Sequence, residues 1–392
     1  MRDHPLIDSH VDLPFVVRSM GERPLRNILS SNGSFPGHFD VLRMREGHVG
    51  GVFMVAWTPC AAWMGEDDGP DFLSPTNAVR DTIEGLDIIQ EMVKSLPEHL
   101  RIARTSADIR EAFQDGKIAT LMAIEGAHQL GNSLSTLRLY AQIGVKYLTL
   151  THTCHNAFAS SAGSGVPLVP AHPEGGLTEL GRSLIGELNR LGMMVDLSHV
   201  SDQTARDVRS FQAPVIFSHS GARAIHDHPR NIPDDILRLI GTGEGRNPGI
   251  ILSVFYPSFI DPLNPTVERV ADHIEYIASI CGRAHVGIGS DFDGMASSVE
   301  GLEDASKYPN LIAVLIRRGW TDEEVIGVMG GNLMRVMDAV DANMESLDTA
   351  LPSDAVYEKR QDLPAKWGGP DGAYLPAGVS RYLQRSHLHD EL

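Results

Sequence analysis

Eight short apolar segments recur along the 392-residue chain, and most of them are followed by a segment with helical periodicity. Strands that alternate with helices form parallel sheets, and eight such units are the number that closes a barrel. We therefore predict an α/β fold, a (β/α)8 TIM-type barrel. The predicted strands are Leu6–Asp12, Val49–Trp57, Ile118–Ile124, Val145–Leu150, Met193–Leu197, Pro214–Phe217, Gly249–Phe255 and His285–Gly289.

The distribution of these elements divides the chain in two. We predict a barrel domain at residues 1–342 and an irregular, Pro- and Gly-rich tail packed on it at residues 343–392. Residues 160–176 are rich in Gly, Pro and Ser, which is typical of a loop that faces an active site.

Two further local patterns concern segments without a strand. Residues 15–48 are interpreted as a loop with one short helix near Phe39–Arg45. Thr321 and Glu324 have the spacing of a capping box, and the apolar periodicity behind them predicts a helix that continues through Met337.

The bulk composition excludes several classes of partner. With 42% hydrophobic and 21% charged residues, the chain has the composition of an ordinary globular protein. Its net charge of −18 argues against nucleic acid or an anionic membrane surface as a partner. No segment resembles a membrane span or a secretory signal, so a cytoplasmic location is the expectation. The three cysteines are too few for a disulfide framework or a cysteine-based zinc site.

Residue types that bind metals lie at the carboxyl ends of six predicted strands. Side chains two apart on a strand share a face, so His10 and Asp12 converge at the end of the first strand. Barrel enzymes place their chemistry at this end of the strands. Imidazole and carboxylate groups gathered there predict a site for zinc or a harder divalent cation. The full set is His10, Asp12, Glu125, His152, His199, His219 and Asp291.

Other chemistries fit these residues less well. Glu125 and His128 have the Glu-x-x-His spacing of di-iron helical bundles, but Glu125 ends an apolar strand and Gly126 follows it. The sequence FSHSG around Ser220 lacks the first glycine of a nucleophile elbow. The sequence GIGSDF around Gly287 lacks the third glycine of a dinucleotide-binding fingerprint.

Seven motifs, in their order along the chain, resemble those of the membrane (renal-type) dipeptidases of the metal-dependent amidohydrolase superfamily. The resemblance extends from about Pro5 to about Val340. It implies a metal-dependent amidohydrolase-like barrel that binds two zinc ions. The motifs are LIDSHVDLP, AIEGAH, YLTLTHTC, VDLSHVS, PVIFSHSGAR, RNIPDDIL and GIGSDFDG.

The resemblance assigns a set of metal ligands. It implies that His10 and Asp12 hold one zinc ion, that His199 and His219 hold the other, and that Glu125 bridges the two. The same ligand types admit other divalent metals. In the family, a hydroxide shared by the two metals attacks the peptide carbonyl.

The resemblance also assigns roles toward the substrate. It implies that His152 stabilises the tetrahedral oxyanion and that Asp291 moves a proton from the water to the leaving amine. Arg230 matches the residue that binds the free C-terminal carboxylate, for which a guanidinium is well suited. A salt bridge from Arg230 to Asp234 or Asp235 is the alternative interpretation.

The implied activity is hydrolysis of dipeptides with a free C-terminal carboxylate, including those with a D-residue or glycine at that position. Glutathione-derived Cys-Gly and secondary-metabolite dipeptides are further expected substrates. The family also implies a homodimer, and a disulfide between Cys60 and Cys154 in an oxidising compartment. Asp196 and Asp293 are expected to support the site. Two alternatives stay open: deacylation, β-lactam or lactone hydrolysis on the same metals, and a barrel that binds without catalysis.

Overall fold

The structure is a computed structural model that describes most of the chain. The described residues are 1–21, 35–60, 77–163, 175–207, 213–357, 376–379 and 381. Most of the predicted loop at residues 160–176, and most of the tail after residue 357, therefore lie outside the described residues.

The described strands form one parallel sheet that confirms the predicted barrel. The strands are β1 Leu6–Val11, β2 Val49–Ala56, β3 Leu100–Ile102, β4 Ile118–Glu125, β5 Val145–Thr149, β6 Met194–Asp196, β7 Val215–Ser220, β8 Ile250–Ser253 and β9 Val286–Ile288. Eight of them follow one another in the order β1-β2-β4-β5-β6-β7-β8-β9, and β3 pairs beside β4. The ends of the sheet meet where the Asp12 N–H donates to the Phe292 carbonyl (2.9 Å) and the Asp291 N–H donates to the His10 carbonyl (3.1 Å).

Helices connect the strands and cover the outside of the barrel. Every residue of β2 and of β4 is buried, as expected of parallel strands that are covered on both faces. None of the described helices is long and apolar enough to cross a membrane. The helices are α1 Leu13–Met20, α2 Val41–Glu46, α3 Ala78–Ser95, α4 Ser106–Gln114, α5 Leu134–Ile143, α6 Glu179–Arg190, α7 Asp202–Asp207, α8 Asp234–Leu237, α9 Pro257–Ile260, α10 Val267–Cys281, α11 Tyr308–Arg317, α12 Asp322–Ile326 and α13 Asn332–Ser346.

The prediction of a loop over residues 15–48 was wrong at its start. Helix α1 begins directly after Asp12, and Pro14 lies in its first turn. Proline suits that position because the first helical N–H groups have no partner inside the helix. Pro14 therefore follows the end of the first strand and also lies at the start of a helix.

The predicted helix from Thr321 through Met337 is interrupted. The capping box at Thr321 is present, but a widened turn at Gly327–Gly331 separates α12 from α13, and Gly330 has non-helical dihedrals. A Cβ at Gly330 would lie 2.7 Å from the Ile7 side chain, so this backbone packs directly on β1. Helix α13 then continues to Ser346, across the predicted domain boundary, and the division into barrel and tail stays a prediction.

Cys60 and Cys154 form a disulfide, as the family resemblance implied for an oxidising compartment. It joins the segment after β2 to the segment after β5. Disulfides of this kind are typical of oxidising compartments. Cys281, the third cysteine, is buried and has a free thiol.

His273 makes the stability of the fold depend on pH. This residue of α10 is fully buried; its Nδ1 accepts the Ala222 N–H (2.9 Å) and its Nε2 donates to the Ile260 carbonyl (3.0 Å). Burial lowers the pKa of His273 to about 4, whereas an unfolded histidine titrates near 6.5. The folded state favours neutral His273, so the contribution of His273 to the free energy of unfolding is complete above pH 6.5. This contribution decreases by roughly 3 kcal/mol as the pH falls toward 4.

The measurement is denaturant unfolding between pH 4 and 7, for the wild type and for His273→Gln. A glutamine amide can accept and donate the same two hydrogen bonds without titrating. We expect the variant to lose less stability on acidification than the wild type. Identical pH profiles would contradict this role of His273, since all other titrating groups are common to both proteins.

Candidate metal centre and active site

The barrel brings all seven predicted site residues to the carboxyl ends of its strands. His10 and His219 are the second-to-last residues of β1 and β7, and Glu125 is the last residue of β4. The other four lie one to three residues beyond a strand end, on the segments that lead into the next helix. All seven are buried: His10, Asp12, Glu125, His152, His199, His219 and Asp291.

Glu125 lies at the centre of the group. Its Oε1 is 2.9 Å from His199 Nε2, 3.3 Å from His219 Nε2 and 3.6 Å from His10 Nε2. Its Oε2 is 3.9 Å from His152 Nε2. The Nε2 atoms of His199 and His219 are only 3.0 Å apart. Four imidazoles therefore direct Nε2 at one carboxylate.

A hydroxyl chain fixes the tautomer of His219. The Ser218 hydroxyl donates to Asp196 Oδ2 (2.6 Å), so its oxygen is left to accept a hydrogen bond from the N–H at His219 Nδ1, which lies 2.8 Å away. With the proton on Nδ1, Nε2 of His219 presents a lone pair to the pocket. This is the form of histidine that binds metals.

Tyr147 acts on His10 in the same way. Its hydroxyl donates to a backbone carbonyl of β1 (2.9 Å) and lies 2.9 Å from His10 Nδ1, whose N–H donates a hydrogen bond to it. When its ring is neutral, His10 therefore also carries its proton on Nδ1 and directs the lone pair of Nε2 at the pocket. Neither Tyr147 nor Ser218 stood out in the sequence, because each belongs to an apolar strand pattern.

The electrostatics of the pocket favour a cation. Burial raises the pKa of Glu125 well above its usual range and raises the pKa of Asp291 to about 8. Burial alone would lower the pKa of His10, but the charges of Glu125 and Asp12 outweigh it and raise that pKa to about 10. Without a metal ion, these raised pKa values mean that His10, Glu125 and Asp291 tend to keep their protons. A metal ion that binds to them must displace those protons.

The ligand atoms also fit a divalent cation. Among the described residues, His10 Nε2, Asp12 Oδ1 and Glu125 Oε1 are buried without a hydrogen-bond partner. Such groups are costly to bury unless something binds them. Three overlapping groups each have ligand atoms within 4.8 Å of one another: His10, Glu125 and His219; Glu125, His152 and His199; His10, Asp12 and Asp291.

Two of the site residues have a strained backbone. His199 and Asp291 have φ values of 65° and 69°, in the left-handed region that non-glycine residues rarely adopt. Strain of this kind costs about 1–3 kcal/mol and clusters at functional sites.

Arg230 lies beside this group and is buried. Its terminal nitrogen donates to the His219 carbonyl (3.3 Å), and its guanidinium lies 5.2 Å from the centre of the Phe259 ring. Burial lowers the pKa of Arg230 to about 10, so it is still cationic at neutral pH. The alternative interpretation, a salt bridge from Arg230 to Asp234 or Asp235, is wrong. Asp234 pairs with Arg238, and Asp235 pairs with Arg206.

Gly294 closes the site over two carboxylates and was also missed in the sequence. A Cβ at Gly294 would lie 2.3 Å from Asp12 Oδ2 and 2.6 Å from Asp291 Oδ1. Real Cβ atoms do not approach other atoms this closely, so one of the two carboxylates would have to move.

Gly294→Ala is therefore expected to lower kcat/KM by roughly 10- to 100-fold, the range found when a group that orients metal ligands is disturbed. The melting temperature should change little. The measurement is kinetics beside thermal unfolding, with Gly186→Ala as the matched control. Gly186 lies in α6, and its Cβ would meet nothing within 4 Å. Unchanged kinetics in Gly294→Ala would contradict the close packing of this backbone on the site.

The parallel barrel, with buried histidines and carboxylates gathered at its carboxyl end, has the arrangement of a metal-dependent enzyme of the α/β-barrel class. The family model for membrane dipeptidase (peptidase family M19) matches residues 1–350, and the chain belongs to this family. It is therefore a dipeptidase of a metallopeptidase family rather than a barrel that only binds.

Individual relatives agree with this assignment. The chain is 40% identical over 344 residues to dipeptidase verJ of Clonostachys rogersoniana, covering 87% of this chain and 85% of the relative. It is 39% identical over 355 residues to dipeptidase aclJ of Aspergillus oryzae, covering 89% and 81%. A metallopeptidase from Rhodobacter sphaeroides, liganded with a phosphinate mimic of the dipeptide L-Ala-D-Ala, superposes with a TM-score of 0.73 at 27% identity, covering 86% of this chain and 99% of that one.

Proposed function

We propose that this protein is a binuclear zinc dipeptidase that hydrolyses dipeptides with a free C-terminal carboxylate. The observation that carries the proposal is the position of Glu125, whose Oε1 lies within 3.6 Å of the Nε2 atoms of His10, His199 and His219. A carboxylate so placed can serve two cations at once. The overlapping ligand groups around it offer more donors than one ion takes.

Five residues would hold the metals. His10 and Asp12 would hold one ion, His199 and His219 would hold the other, and Glu125 would serve both. When bound, a pair of divalent cations activates a water molecule at neutral pH and polarises the scissile carbonyl. Zinc suits the mixed nitrogen and oxygen donors, and manganese, cobalt or iron are the alternatives.

His152 is placed to stabilise the oxyanion. Burial lowers the pKa of His152 well below its usual range, so the ring is neutral. Its Nδ1 lies 3.1 Å from the Thr153 hydroxyl, which can donate to it and so leave the proton on Nε2. An Nε2–H that faces the pocket can then donate to the negative oxygen that develops on the carbonyl.

Asp291 is placed to move the proton. In the metal-free site, burial raises the pKa of its carboxyl group to about 8. A carboxyl group at this place can accept a proton and release it again. Its backbone N–H is anchored to the His10 carbonyl, which fixes the carboxylate over the site. Asp291 thereby takes a proton from the attacking water and gives it to the leaving amine.

Arg230 is the group that selects for dipeptides. Its Nε is buried and has no hydrogen-bond partner among the described residues, although the side chain is charged. A substrate carboxylate would satisfy that donor and neutralise the charge, and the fork of donors matches a carboxylate in two bonds. The chain therefore favours short peptides whose C-terminus reaches Arg230.

The substrate range follows from this arrangement and from the relatives. The L-Ala-D-Ala mimic in the Rhodobacter sphaeroides enzyme supports a D-residue at the C-terminal position. Cys-Gly released from glutathione conjugates, and dipeptides of secondary metabolism, are the further substrates we propose. A homodimer and a cytoplasmic location belong to the same proposal.

The test combines elemental analysis with hydrolysis of L-Ala-D-Ala, Cys-Gly and their C-terminal amides, before and after chelation. We expect about two zinc ions per chain and cleavage of the free-carboxylate dipeptides that chelation abolishes. Two metals with cleavage of a β-lactam, lactone or acylated amine instead would move the function to the other amidohydrolase activity. A metal-free protein that still cleaves dipeptides would overturn the proposal.

Arg223 positions the segment that carries Arg230. Its Nε donates to the Asn231 carbonyl (2.9 Å), and its two terminal nitrogens donate to both carboxylate oxygens of Asp202 (2.7 and 2.8 Å). Arg223→Lys replaces the guanidinium, which makes these three bonds at once, by a single ammonium group. We expect KM for L-Ala-D-Ala to rise about tenfold, a loss of about 1.4 kcal/mol in substrate binding, while kcat changes little. Steady-state kinetics check this, with the exposed Arg238→Lys as control. A fall in kcat at constant KM would contradict it.

A further inference from the structure

A second cluster of metal-binding residue types lies outside the site described above. Cys60 follows β2, His128 lies in the turn after β4, and Cys154 follows β5. Both sulfur atoms and a ring nitrogen of His128 lie within 4.8 Å of one another. In the structure the two cysteines form a disulfide, so the sulfurs are bonded to each other.

His128 has the hydrogen bonding of a metal-ligating histidine. Its Nε2 lies 3.1 Å from the Thr58 carbonyl and donates to it. Its Nδ1 is buried and has no hydrogen-bond partner among the described residues. Histidine ligands commonly donate their second ring N–H to a carbonyl in this way. Burial lowers the pKa of His128 to about 4, so the lone pair on Nδ1 is free at neutral pH.

The barrel arranges these three residues in advance. Strands β2, β4 and β5 are direct neighbours in the sheet, and each residue comes from the segment beyond a different one of them. The barrel therefore brings together the three segments that carry the cluster. Cys60 is buried, whereas His128 and Cys154 are partly exposed, which leaves access for a small reductant and for water.

We propose that reduction of the Cys60–Cys154 disulfide creates a third metal site, in which both thiolates and His128 bind a thiophilic divalent cation such as zinc. A dithiol supplies the two electrons and two protons: its sulfurs become a disulfide, and Cys60 and Cys154 become thiols. Metal binding then releases the two thiol protons. Two sulfurs and one nitrogen are a common zinc ligand set, with water as the fourth ligand.

The proposed ion would replace the disulfide as a cross-link. Either bond joins the segment after β2 to the segment after β5, next to His152. In an oxidising compartment the disulfide makes this connection, and in a reducing compartment the metal makes it. The site is distinct from the proposed binuclear centre, whose ligands are nitrogen and oxygen atoms only.

The test uses the full-length protein with cobalt(II) as the probe. Thiolate ligands give cobalt a sulfur-to-metal charge-transfer band in the near ultraviolet, which histidine and carboxylate ligands do not. We expect no such band in the oxidised protein. After reduction with a water-soluble phosphine, we expect the band and one additional metal ion per chain. This comparison needs no variant and no activity measurement, so its failure is distinct from failure of the proposed dipeptidase.

Variants then locate the site. Cys60→Ser and Cys154→Ser should each abolish the band, and His128→Gln should weaken cobalt binding at least tenfold. Cys281→Ser is the matched control, because Cys281 is a free, buried cysteine elsewhere, and its band should equal that of the wild type. A reduced wild type without a third metal ion, or a band that survives Cys60→Ser, would overturn the proposal.

Discussion

Replacing Glu125 by glutamine is expected to abolish metal binding and to lower kcat/KM for dipeptides by on the order of 10³-fold or more. This exceeds the 10- to 100-fold that is typical of a residue that only orients a ligand. The amide has the same shape but no charge, and it places an N–H group against imidazole nitrogens that lie 2.9–3.6 Å from Oε1. Neither proposed ion would then keep its shared ligand.

Glu125→Gln should change the stability of the metal-free protein little. Burial raises the pKa of Glu125, which means that the charged carboxylate is unfavourable in this pocket without a cation. Thermal unfolding with and without a chelator therefore separates the two effects. The wild type should lose its metal-dependent stabilisation on chelation, and the variant should have none to lose.

Glu187→Gln is the matched control for this experiment. Glu187 is also a buried glutamate, but it lies in α6 and pairs with Arg138 and Arg190 at 2.9 and 2.8 Å. Its loss should lower stability without changing metal content. Retention of two metals by Glu125→Gln would show that Glu125 is not the shared ligand.

The sequence predicted the barrel and the convergence of its site residues because both depend on local patterns. Each strand is an apolar run, and the carboxyl ends of parallel strands meet at one end of a barrel. Glu125 at the end of β4 and Asp291 after β9 could therefore be placed together although they are far apart in the chain.

The features that the sequence did not predict depend on contacts between distant residues. Tyr147 fits an apolar strand, and only the closed barrel shows that its hydroxyl reaches His10 on β1. Gly330 breaks a helical pattern because its backbone packs on Ile7. Nothing in the sequence distinguishes Arg223 from the other arginines, and only the fold shows that it donates to the Asn231 carbonyl. Such contacts have no periodicity in the sequence.

Arg230→Ala is expected to lower kcat/KM for L-Ala-D-Ala by roughly 10²- to 10³-fold, in line with the loss of a buried, charge-assisted pair. Arg230 is buried and cationic, and its Nε has no hydrogen-bond partner among the described residues. The substrate carboxylate is the partner that we assign to it. Most of the loss should appear in KM, because the carboxylate is bound in the ground state and in the transition state alike.

The C-terminal amide of the same dipeptide is the decisive comparison. It has no negative charge for Arg230 to bind, so the wild type should cleave it poorly and Arg230→Ala should cleave it about as well as the wild type does. Arg230→Lys keeps the charge and loses the fork, and should fall between the two for the free dipeptide. If Arg230→Ala lowered the cleavage of both substrates equally, Arg230 would support the site through Glu125 and Asp291, whose charges it faces, and would not bind the carboxylate.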